Sequence, residues 1–160
     1  MSRASDLRDA VASAIQSALP TQRVETCVVA NYSPEELDEP VIAVRVSKRT
    51  ITVSMGPASR LVDIEVVFMA RNPSNSGYPA SDEAKESYRT IEVAAADSSD
   101  DILETVIDLW TPATALSKNP LAGHRLTELT QEVSVDVPTY YENGLFFTIL
   151  TIQFYDMADE

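Results

Sequence analysis

One histidine, one cysteine and one close group of aspartates are the side chains of this 160-residue sequence best suited to chemistry. His124 follows Gly123 in a polar stretch. With no second histidine and no available thiol beside it, it cannot anchor a zinc site. A catalytic role would need a nucleophile and an orienting acid that sequence alone does not place, so His124 reads as a surface or structural histidine. Cys27 lies in the apolar run Cys27-Val28-Val29-Ala30, which suits a buried, inert thiol. As the sole cysteine it rules out an intrachain disulfide and is compatible with a reducing cytoplasm. Asp97, Asp100 and Asp101 offer the oxygen ligands that hard cations prefer, but their spacing does not fit a calcium loop. They suit the positive end of a helix instead. Gly56, Gly77, Gly123 and Gly144 are too scattered for a phosphate-binding or dinucleotide-binding loop. Tyr140-Tyr141, with Trp110, fit a sugar platform or, more simply, packing and contact residues. The reading is a protein that is not an enzyme and carries no metal or cofactor.

The elements that must position these residues are written in the apolar periods. Leu7, Ala10, Val11, Ala14, Ile15, Ala18 and Leu19 form one helical stripe, which Ser5 can cap and Pro20 stops. Val24 to Asn31 reads as a strand, and Ser33 to Pro40 as an acidic, proline-bounded loop. Ile42, Val44 and Val46 then share a face, and Ile51, Val53 and Met55 do so after Lys48-Arg49. The parity flips across that pair, which predicts a bulge or tight bend. From Arg60 to Arg71, Val62, Ile64, Val66 and Phe68 alternate with Asp63 and Glu65, the pattern of a half-buried strand. Asn72 to Glu86 is rich in Pro, Gly, Ser and Asn and reads as a long loop, a flexible insertion at about 72–88.

A short strand, Arg89 to Ala94, should precede a second helix. Ser98 with Asp101 resembles its capping box, and Ile102, Leu103, Val106, Ile107 and Trp110 form its buried stripe. Pro112 ends it. A further helical turn is expected around His124 to Leu129. Val133, Val135 and Val137 alternate as a strand, and Pro138 with Asn143-Gly144 turns the chain. The return strand, Leu145 to Tyr155, is apolar on both faces, so it lies deep in a sheet or one face meets another subunit. The sum is one domain over residues 1–160. Its expected fold is α+β: a mainly antiparallel or mixed sheet of five to six strands with two amphipathic helices on one face.

Charge narrows the partners. The formal net charge is −13, and residues 102–160 hold two basic and nine acidic groups. Such a field repels phosphate and disfavours both a nucleic-acid grip and an anionic membrane surface. The first helix carries Asp6 and Asp9 and lacks the apolar run of a signal peptide. The uncharged run from Asn143 to Tyr155 is too short to span a bilayer as a helix. Basic residues gather at Arg45, Lys48, Arg49 and Arg60. They read either as a solvated hairpin end or as a patch that meets the acidic half of a neighbouring copy.

The order of elements resembles that of phage tail terminator (tail completion) proteins over nearly the whole chain. The resemblance rests on the turn Asn119-Pro120-Leu121-Ala122-Gly123 after the second helix. It rests also on the closing strand Gly144-Leu145-Phe146-Phe147-Thr148-Ile149-Leu150-Thr151-Ile152-Gln153-Phe154-Tyr155. The resemblance implies a structural virion protein at the tail–neck junction, made in the bacterial host cytoplasm. Copies would form a ring, typically a hexamer, that caps the tail tube protein and joins a neck or head-completion protein, with DNA only passing through the lumen. The long Asn72 to Glu86 segment and the strong acidity depart from the family pattern. On this reading Arg45, Lys48, Arg49 and Arg60 contact an adjacent copy, and Asn75, Tyr78, Tyr140 and Tyr141 contact tube or neck. Two alternatives stay open: another connector, such as a head-closure or tube protein, and a small acidic ligand-binding domain of ferredoxin-like kind.

Overall fold

Leu7, Val11 and Ile15 recur every four residues and are all fully buried, and this stripe sets the first helix against the core. The computed structural model describes residues 3–71, 82–110, 121–132 and 145–157. Helix α1 spans Arg3–Ala18, starting two residues before Ser5, which therefore sits inside it rather than capping it. At its other end the Gln16 side-chain amide donates to the carbonyls of Leu19 and Gln22, tying the turn after the helix back to its last residues.

Strand β1 covers only Arg23–Thr26, shorter than the strand expected from Val24 to Asn31. Cys27 still donates its amide to Val44, but beyond it the chain leaves the sheet. A 3-10 turn follows at Pro34–Glu36. Strands β2 (Val41–Thr52) and β3 (Ser59–Arg71) form a long antiparallel hairpin. The expected irregularity is present as a bulge between Val46 and Lys48.

Helix α2 runs Asp82–Asp108, and this corrects the reading of the middle of the chain. Arg89 to Ala94 is helix, not strand: Ala94-Ala95-Ala96 are strong helix formers that outweigh the β-branched Thr90, Ile91 and Val93. Ser98 and Asp101 consequently lie mid-helix and cap nothing. The last part of the long-loop segment, from Asp82 to Glu86, is also helical. The stripe Ile102, Leu103 and Val106 is buried as expected, and Trp110 beyond the helix end meets Phe154 edge-on at 6.5 Å.

Strand β4 (His124–Glu132) replaces the helical turn expected around His124, and strand β5 (Leu145–Asp156) closes the described chain. The expected strand at Val133 to Val137 and the Asn143-Gly144 turn lie outside the described residues. The five strands lie in the order β1-β2-β3-β5-β4, with β1 parallel to β2 and the other pairs antiparallel, giving a mixed sheet and an α+β fold. Strand β5 sits between β3 and β4, the interior place its two apolar faces demanded.

Register sorts the two faces. Val44, Val66 and Leu150 align across three strands, as do Val46, Ile64 and Ile152. The sheet residues of this face share one apolar cluster with the buried side chains of α1 and α2. The opposite face carries a smaller cluster of Val41, Ala43, Val67 and Met69, with Phe147 and Ile149 against it and Leu37 of the acidic loop closing one end.

Candidate assembly surface

The β2–β3 hairpin is offset from its neighbours, and this offset creates the first surface. Strand β1 pairs only with Val41 to Val44, so the rest of the outer edge of β2 has no strand beside it among the described residues. Pairing of β3 with β5 stops at Leu61 and Tyr155. The pairs Ile51 with Arg60 and Thr52 with Ser59, and the turn between them, therefore extend past the sheet as an arm. Its apolar side chains stand in solvent: Ile51 is 55% exposed, Val53 77%, and Met55 fully.

The bulge decides where the basic residues go. It restores the register after Ser47 so that Lys48 aligns with Asp63 and Arg49 with Val62. Residues in register share a face, so Lys48 lies on the Glu65 side of the sheet and Arg49 on the helix side. Both are exposed, and among the described residues neither forms an ion pair. Arg45 is different: its Nε donates to Glu65 Oε2 at 2.7 Å, with both side chains largely covered, so it is engaged within its own chain. Arg60 is half-buried at the root of the arm. A bulge with Lys and Arg on an open strand edge also blunts indiscriminate edge pairing. Asn75, Tyr78, Tyr140 and Tyr141 lie outside the described residues.

The second surface is concave. Val29, Ala30, Val67, Met69, Phe147 and Ile149 line an open cavity of about 280 Å³ on the sheet face away from the helices, with Arg45 and Glu65 at its edge. Val28 and Val29 are 79% and 64% exposed beside it. The acidic loop reaches the same face, since its Leu37 is buried in that cluster while Glu35, Glu36, Asp38 and Glu39 remain exposed. Below the cavity the loop is fastened to β1. Arg23 Nε donates to Glu25 at 2.7 Å, the Tyr32 hydroxyl donates to the other Glu25 oxygen at 2.9 Å, and the Arg23 guanidinium lies over the Tyr32 ring. The Arg23 hydrogen bond holds the Glu25 carboxyl below the usual range. Burial, reinforced by the bond to Glu25, pushes Tyr32 up to about 12. Burial likewise raises Cys27, which keeps its thiol protonated and unreactive.

A polar cluster that sequence reasoning missed joins the two ends of the described chain. Asp156 accepts from the Arg3 guanidinium at 2.7 Å, and its other oxygen lies 3.8 Å from His124 Nε2. His124 Nδ1 is 2.8 Å from the Ala122 carbonyl, which can only accept, so Nδ1 carries the proton. His124 is 1% exposed and Asp156 7%, so the pair lies inside the fold. Leu121 and His124 exchange backbone bonds across Ala122 and Gly123, both at positive φ as a two-residue hairpin turn requires. A side chain at Gly123 would begin 3.0 Å from the Arg3 guanidinium. The glycine next to a lone histidine was the available signal; the distant Arg3 and Asp156 gave none.

Asp97, Asp100 and Asp101 are exposed in the middle of α2, away from any helix terminus, so the capping role expected of them does not hold. Among the described residues no group of three His, Cys, Asp or Glu side chains is placed to hold a metal ion, and no helix is long and apolar enough to cross a membrane. No protein-family model matches the chain, and no curated protein matches it in sequence.

Proposed function

We propose that this chain is a structural, non-enzymatic connector of a phage tail. In this reading it is a tail terminator whose copies form a ring, a hexamer on the pattern of the family it resembles. The ring caps the tail tube and joins it to a neck or head-completion protein at the tail–neck junction of the virion. The observation that carries the proposal is the segregation of exposed apolar side chains into a projecting arm and a concave sheet face. Single exposed apolar residues are ordinary, but gathered patches mark contact surfaces. A patch that meets a different patch on the next copy makes a heterologous contact, the kind that closes into rings.

Charge supports the same role. A lumen lined by a chain of net charge −13 repels phosphate and lets DNA pass without gripping it. Lys48 and Arg49 are the basic contacts, while Arg45 serves its own sheet through Glu65. The test is complementation: purified protein is added to heads and to tails that lack their terminator, and joined particles are counted by electron microscopy. Joining restored by the chain, and lost on Val53→Asp with Met55→Asp, is the expected result. Heads and tails that stay separate with the unaltered chain would refute the proposal.

A further inference from the structure

The arm and the concave face complement one another in polarity and charge, and both belong to the same chain. Apart from Val28 and Val93, the large apolar side chains exposed among the described residues lie on one surface or the other: Ile51, Val53 and Met55 on the arm, Val29 at the cavity. The arm carries Arg49 on the same face as Ile51. The cavity is floored by Val67, Met69, Phe147 and Ile149, and Leu37 of the acidic loop that bears Glu35 is buried on the same face.

The arm cannot fill the cavity of its own chain. Arg45 marks the cavity edge and Ile51 lies six residues further along the same strand, roughly 20 Å away at about 3.3 Å per residue. The arm points onward from there, so folding back would break the β2–β3 ladder that builds the cavity wall. We infer that the arm of one copy seats Ile51, Val53 and Met55 in the cavity of the next, with Arg49, which shares the Ile51 face, set against Glu35. This rests on the ring reading above and specifies its contact. Because donor and acceptor surfaces differ, each copy gives an arm and receives one, and the chain of contacts ends only on closure.

Charge exchange tests this on the full-length protein. Arg49→Glu reverses the arm; Glu35→Lys reverses the loop. Either change alone should raise the concentration for half-assembly about tenfold or more in sedimentation velocity, since like charges then meet at the contact. Two mixtures follow from the geometry. Equal amounts of the two variants should reassemble, in alternation, and so should a single chain carrying both changes. Neither rescue can come from a misfolded protein. Rings that form normally from either single variant, or a failure of both rescues while the unaltered chain still forms rings, would overturn the inference and leave the ring standing. An unaltered chain that never assembles would remove both.

Discussion

Gly123→Ala probes the polar cluster that fastens α1 to the end of β5. Two costs follow from the structure. Gly123 has φ +74°, where a β-carbon is opposed by the following carbonyl at about 1–2 kcal/mol. The new methyl also begins 3.0 Å from the Arg3 guanidinium and pushes it off Asp156. The lost bond is charge-assisted, but Arg3 is half-exposed, so screening leaves about 1 kcal/mol of it. The sum is about 2–3 kcal/mol, or roughly a 4–12 °C fall in Tm for a chain of this size. Urea unfolding should show a lower midpoint with an unchanged slope. The same change in an Arg3→Ala background should cost only the backbone part, leaving a coupling of about 1 kcal/mol. A Gly123→Ala loss below about 0.5 kcal/mol, or strict additivity with Arg3→Ala, would refute the geometry argued for this turn.

Two further outcomes follow. The buried Ser99 and Thr148 hydroxyls bond each other between α2 and β5, so Ser99→Ala should cost about 1–3 kcal/mol by stranding Thr148. Adding Thr148→Val should return part of that loss in the same unfolding experiment. Tyr32, raised to about 12 in the folded chain, binds its proton more tightly than an unfolded tyrosine. Its contribution is therefore complete below about pH 10 and drains away between roughly pH 10 and 12. Tyrosinate absorbance should show one late-ionising residue that disappears in Tyr32→Phe.

Where apolar period and burial agreed, the fold was legible. The Leu7–Val11–Ile15 stripe, the alternation of β3, the interior place of β5 and the parity break after Val46 all follow from side-chain spacing. The failures have physical causes. Thr90-Ile91-Glu92-Val93 alternates like a strand over four residues, yet it lies in a 27-residue helix that the following alanines favour. His124 to Leu129 is too polar to look like a strand because it forms the sheet margin, with one side against β5 and much of the rest in water. The basic cluster was visible, but its division was not. Only pairing across the bulge separates Arg45, held by Glu65, from Lys48 and Arg49 on the open edge. The cavity was equally hidden, because it brings together residues from the loop after β1, β3 and β5.

The most direct test of the central claim is electron microscopy of the purified full-length chain, imaged over a range of concentrations beside the Met55→Asp variant. Annular particles of uniform copy number from the unaltered chain, and single copies from the variant at the same concentration, are the predicted result. Monomers from both, with neither binding isolated tail tubes, would contradict it.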